Sequence, residues 1–209
     1  MAKTILIKDV RCIYPNLTEA KAYKNGKPKY SISFIFPKKD KERYKEISDI
    51  IKSEVANSNL KEGQKKQALK QALDFNEGTN KYCLIKDGDI VNLQRGDLAD
   101  KEPIPAFEGQ YVVKFPRPKD FGVARVVDRS NNKIELGDIR SKIQSGYWVN
   151  LAVTARVYVS KESGEAGVAF TLQGVQFVKE DEIFGVSNPF EAFEDADEPE
   201  TKDDSSPFN

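Results

Sequence analysis

The chain contains no histidine. That absence excludes Ser-His-Asp and Cys-His nucleophilic sites, imidazole acid–base catalysis and any zinc site with a histidine ligand. Cysteine is almost as scarce. Cys12 and Cys83 are far apart and form no C-x-x-C pair, so a four-cysteine zinc site is excluded too. A disulfide between them stays open, and two buried free thiols are the plainer reading. Long apolar runs are missing as well. The first, Ile5-Leu6-Ile7, is cut by Lys8 and Asp9, whereas a secretory core takes roughly 7–15 apolar residues and a spanning helix roughly 20. A soluble, cytoplasmic chain without a membrane partner is expected. There is no G-x-x-x-x-G-K-[ST] phosphate loop and no internal repeat. No cofactor, metal or catalytic group is expected.

What is present is charge, unevenly placed. The 209 residues carry 33 bases and 33 acids. From Glu180 to Asn209 there are 11 acids and one base, Lys202, a net of −10, which leaves +10 on residues 1–179. Such a split points to nucleic acid for the body and a regulatory or partner role for the end.

Residues 4–14 read as a strand, 24–28 (KNGKP) as a turn and 29–36 as a second strand. In the latter, Tyr30, Ile32, Phe34 and Phe36 share one face, while Lys29, Ser31 and Ser33 share a polar one. From residue 40 the period changes. Tyr44, Ile47, Ile51 and Val55 fall at helical spacing behind Asp40, a cap, and a second helix covers about 64–75. Residues 82–90 read as a strand ending in an Asp-Gly turn, 96–110 as loop, and 111–115 and 121–127 as short strands. Residues 147–159 and 168–178 form a long hairpin. Many strands, short turns and a helical insertion at about 40–75 predict a mainly β, closed or partly closed barrel over residues 1–186. Residues 187–209 lose periodicity and read as a disordered acidic tail.

On strand 147–159, one face holds Trp148, Asn150, Ala152, Thr154, Arg156 and Tyr158. Rings and a guanidinium among small polar residues suit a stacking platform for unpaired bases, whose π-faces are gripped without being read. The plainer alternative packs Trp148 under the helical insertion. Lys21, Lys24, Lys27 and Lys29 surround the first turn, and Lys114, Arg117, Lys119, Arg125 and Arg129 surround the later strands. Phosphates need repeated positive charge along a groove, although Lys-rich loops are also ordinary solvated surface.

The tail closes on Asp203-Asp204-Ser205-Ser206-Pro207-Phe208. That ending resembles the tip of replication single-stranded DNA-binding proteins. The body is similar to a family of bacteriophage single-stranded DNA-binding proteins first catalogued as a domain of unknown function. The likeness runs through Lys86-Asp87-Gly88-Asp89, the Arg117-Pro118 pair and residues 146–178. It implies an OB-fold barrel that binds single-stranded DNA in replication, recombination and repair, in the host cytoplasm. It also implies a tail that recruits replication enzymes such as DNA polymerase or helicase. One departure is Asn209, which follows Phe208 where such tails end on the ring.

The expected DNA-binding residues are therefore Trp148, Arg156, Tyr158 and Tyr30 for bases, with Lys29, Lys114, Arg117, Arg125 and Arg129 for phosphates. Asp203, Asp204, Pro207 and Phe208 form the partner-binding tail, and homo-oligomerisation stays open. Two competing readings are a protein-interaction scaffold and a Mg²⁺-dependent nuclease using Asp87, Asp89, Asp97 and Asp100.

Overall fold

The computed structural model describes residues 3–22, 26–74, 83–96 and 102–184. The tail, 187–209, with Asp203, Asp204, Pro207 and Phe208, lies outside the described residues, as do Asp97 and Asp100.

Seven strands form one sheet: β1 (Thr4–Lys21), β2 (Lys29–Pro37), β3 (Ile85–Asp87), β4 (Gln110–Pro118), β5 (Arg125–Val127), β6 (Trp148–Val159) and β7 (Ala166–Lys179). Their order is β3-β4-β2-β1-β6-β7-β5. Every pairing is antiparallel except β5 with β7. The sheet curls until β4 faces β7. There Phe115 and Phe170 pack with centroids 5.1 Å apart, and Arg117 reaches the Leu172 carbonyl at 2.9 Å. No ladder joins these two strands, so the barrel is OB-like and open at this seam.

Alternation builds the core. Ile32 and Phe34 of β2, Val113 and Phe115 of β4, and Val149, Leu151 and Val153 of β6 are all fully buried. The insertion is α1 (Lys41–Ala56) and α2 (Glu62–Leu73). Asp40 caps α1 by accepting from the Arg43 amide at 2.9 Å. Ile47, Ile51 and Val55 of α1 and Ala68 and Ala72 of α2 join the same core, and the pair packs on β6 and β7. A short helix, α4 (Ile139–Lys142), precedes β6. Cys12 and Cys83 are buried free thiols, pushed by burial up to about 12 and about 11.

Two expectations change. β1 runs to Lys21 instead of ending near residue 14, because three register shifts let it turn without breaking. Asp9 and Tyr14 sit at the first two, with φ 52° and 51°. Their amides, lost to the ladder, are taken by Asn150 Oδ1 at 2.9 Å and Ser145 Oγ at 3.0 Å. The Asp87-Gly88 pair starts a helix, α3 (Gly88–Gly96), and not a hairpin. Asp87 Oδ1 accepts from the amides of Asp89 (2.9 Å) and Ile90 (3.3 Å), which caps α3. A Cβ on Gly88 would fall 2.2 Å from the Phe107 carbonyl, so only glycine fits there.

Candidate nucleic-acid interface

A groove of about 590 Å³ lies over β2 and β4, within the usual range for ligand clefts. Since Ile32, Phe34, Val113 and Phe115 point inward, their neighbours Ser31, Ser33, Val112, Lys114 and Pro116 turn outward to floor it. One wall comes from α3 and the 3₁₀ turn Pro105–Phe107, through Val91, Arg95, Ile104 and Phe107. Tyr14 and Asn16 of β1 form another edge. Tyr158 with residues 168–170 of the long hairpin forms a third. Lys86, Arg95 and Lys114 line the groove, and among the described residues no carboxylate does.

The α3 wall is pinned by acids that face away from the groove. Lys38 Nζ pairs with Asp87 at 2.5 Å and Asp89 at 2.7 Å. Asp89 also accepts from the Gly109 amide at 2.8 Å. The Lys38 bond, then the Gly109 amide, hold the Asp89 carboxyl below its ordinary value. Asn92 binds the Ile104 main chain in both directions, at 2.8 and 3.0 Å. Asp87 and Asp89 therefore serve the wall. Among the described residues no three metal-ligating side chains gather.

The groove's lysines have no such partners. Among the described residues neither Lys86 nor Lys114 is paired with an acid. Lys114 is exposed as a whole residue. Burial around its ammonium, then the charges of Lys86 and Lys29, push its pKa down. A site that depresses a lysine by burial and by neighbouring cations is one an anion would relieve.

Tyr14 and Lys86 were missed by sequence reasoning. Tyr14 is 46% exposed and meets Phe107 edge-on at 6.2 Å. A bulky residue in the left-handed region costs on the order of 1–3 kcal/mol, and such strain gathers at functional sites. Nothing in the local sequence signals it, because alternation assumes an unbulged strand. Lys86 entered the sequence reading through a turn and through the family likeness of Lys86-Asp87-Gly88-Asp89, not as a phosphate contact.

The other expected residues scatter. Tyr158 lines the groove, its ring lying over Gly167, where a Cβ would come within 2.7 Å. Arg156 is exposed and pairs across the ladder with groove-lining Ala169. Lys29 is exposed at the start of β2, outside the lining. Tyr30 is half-buried opposite Arg117. Arg125 and Arg129 are exposed at and beyond β5.

Arg117 is half-buried and spent on main-chain oxygens. Its guanidinium donates to Gly122 (2.8 Å), Phe121 (2.7 Å) and Leu172 (2.9 Å), and reaches Gln173 Oε1 at 3.4 Å. It ties the β4 end to the following turn and to β7.

Trp148 lies in a separate depression of about 430 Å³. It is ten residues from Tyr158, about 33 Å along an extended strand, and the two rings line different depressions. Trp148 Nε1 donates to Asp181 at 2.6 Å, and Lys179 Nζ sits 5.0 Å from the ring centroid. Asp181 belongs to a strap, residues 180–184, that crosses back over β1. Arg11 donates to the Glu182 carbonyl at 3.2 Å and covers the Phe184 ring at 4.2 Å. Gly146, at φ 105°, lets the strap pass, since a Cβ would fall 1.9 Å from the Glu182 carbonyl.

A curled OB-like sheet with a cationic, ring-edged groove is the form of a strand-binding β-module. The chain belongs to the family described as Enterobacter phage Enc34, ssDNA-binding protein, whose family model matches residues 3–205. Among solved structures it is similar to the single-stranded DNA-binding protein from bacteriophage Enc34 in complex with ssDNA. Identity is 24% over 87% of this chain and 89% of that one, with a TM-score of 0.60. The C-terminal truncation of that protein is 26% identical, covers 88% of each chain and has a TM-score of 0.57. A more distant likeness is gp2.5, a single-stranded DNA-binding protein encoded by bacteriophage T7. It is 13% identical over 93% of this chain and 97% of that one, with a TM-score of 0.50, which speaks for the fold alone. No curated protein matches the chain.

Proposed function

We propose that the chain binds single-stranded DNA in the groove over β2 and β4, without sequence preference. The observation that carries this reading is a groove lined, among the described residues, by three cations and two tyrosines and by no carboxylate. Phosphates take the charge of Lys86 and Lys114, with Lys29 beyond the lining. Tyr158 supplies a ring and Arg156 stands at the rim. Arg125 and Arg129 extend the cationic field, while Arg117 and Tyr30 support the seam and Trp148 anchors the strap. The family description and the Enc34 complex with ssDNA support the same ligand.

On this reading the protein is phage-encoded, works in the host cytoplasm and serves DNA replication, recombination and repair without catalysing a reaction. Among the described residues no helix is long and apolar enough to cross a membrane. The acidic tail, 187–209, competes with DNA for the groove and recruits a polymerase or helicase through Phe208, whose burial contributes roughly 1.5–3 kcal/mol. Removing 187–209 then raises DNA affinity.

The test is anisotropy of labelled oligo-dT at two salt concentrations, with and without Mg²⁺. Binding should weaken with salt, at a log–log slope of about −0.7 per phosphate contacted. Oligo-dT left free in dilute buffer would refute the reading in favour of a protein-interaction scaffold, and Mg²⁺-dependent cleavage would refute it in favour of a nuclease.

A further inference from the structure

We propose that Tyr14 is a nucleobase-stacking platform of the groove, with Phe107 as its backing and Ser145 as its positioning residue. The proposal deepens the single-stranded DNA reading and rests on it.

Three observations converge on Tyr14. Its ring is exposed at the groove edge while the ring behind it, Phe107, is buried at 5% exposure. An edge-on contact with Phe107 braces the ring and leaves a face open. Its backbone holds φ 51°, a conformation a tyrosine adopts at a cost, and the Ser145 hydroxyl keeps it there by accepting the Tyr14 amide proton at 3.0 Å. A surface turn with no task would place glycine or asparagine here. The strained tyrosine faces the groove instead.

The opposite side of the groove carries the charge. Lys114 pairs in register with Ser33, and Ser33 with Ile13, the residue before Tyr14. Lys114 and Tyr14 are thus about two strand spacings apart, about 10 Å. A nucleotide spans such a gap from phosphate to base. The Ser31 and Ser33 hydroxyls lie between, and neither has a hydrogen-bond partner among the described residues. The strand therefore lies with its phosphates over Lys86 and Lys114 and its bases turned toward Tyr14.

The experiment titrates full-length wild type, Tyr14→Ala, Tyr14→Gly, Tyr14→Phe, Ser145→Ala and Lys114→Ala with labelled oligo-dT across a salt series. Tyr14→Ala is expected to weaken binding on the order of 5- to 150-fold, the worth of one stacked base, with an unchanged salt slope. Tyr14→Gly suits the positive φ and keeps the fold, yet binds as weakly as Tyr14→Ala. Tyr14→Phe keeps wild-type affinity. Ser145→Ala weakens binding at an unchanged slope, and Lys114→Ala makes the slope shallower. Ultraviolet crosslinking to 5-iodouracil-containing oligonucleotide should yield an adduct on the Tyr14 peptide. If both Tyr14 variants bind like wild type while Lys114→Ala weakens binding, the stacking assignment is overturned and the DNA reading stands. If wild type itself leaves oligo-dT free, both fall.

Discussion

Replacing Arg117 separates the two roles that this residue could hold. Read along the sequence it is a phosphate contact; in the fold it is a clamp on three carbonyls. Arg117→Ala removes charge-assisted bonds that contribute about 1.5–3 kcal/mol each when desolvated, less where water can replace them. Two acceptors, Phe121 and Gly122, are exposed, so the Leu172 bond across the open seam dominates. A total loss of about 2–4 kcal/mol follows, which for a chain of this size is roughly 4–16 °C in Tm. Arg117→Lys recovers little, because an ammonium cannot hold three acceptors in the guanidinium's plane. Thermal unfolding and oligo-dT titration of the same variants give both readouts. The clamp predicts a lower Tm and, below that Tm, an unchanged salt slope. An unchanged Tm with a slope reduced by about 0.7 would refute it and restore Arg117 as a phosphate ligand.

If Lys114 holds a phosphate, DNA binding should be pH-dependent. Its pKa is depressed from the ordinary 10.5 in the free protein by burial and then by Lys86 and Lys29, and a phosphate raises it again. Binding thus takes up a proton in that window. The affinity it contributes is complete below the free value and is lost as pH rises through the bound one. Lys114→Arg should flatten the profile below pH 10.5, and a flat wild-type profile would contradict the account. Trp148 should report the strap instead of the ligand. Its fluorescence should change in Asp181→Ala, which removes its 2.6 Å acceptor, and stay constant on saturation with oligo-dT; quenching by DNA would bring the strand to its depression.

What the sequence made legible follows from periodicity. Ile47, Ile51 and Val55 kept a helical period, and the α1–α2 insertion appeared where they placed it. The 147–178 hairpin, long and alternating, appeared as β6 and β7. The illegible parts are those where tertiary contacts override a local signal. Asp87-Gly88 has turn chemistry, yet Lys38 and the cap geometry make it a helix start. Bulges at Asp9 and Tyr14 reset the phase of β1 and turned a ring toward the groove that no alternation could foresee. Trp148 and Tyr158 share a face in sequence, but a face 33 Å long, roughly, holds more than one site. The groove itself draws on four separate stretches: β1, β2, residues 83–116 from β3 to β4, and the β6–β7 hairpin. Its lack of acids among the described residues is visible only when they meet.

The central claim is that Lys86 and Lys114 in the groove, with Lys29 beyond its lining, none of them paired with an acid among the described residues, hold the backbone of single-stranded DNA. Its most direct measurement is the salt dependence of oligo-dT binding for wild type and for a Lys29→Ala, Lys86→Ala, Lys114→Ala triple variant. The account predicts a log–log slope shallower by about 2, close to 0.7 for each phosphate released, with Tm preserved. Equal slopes in a folded triple variant would show that the strand is held elsewhere.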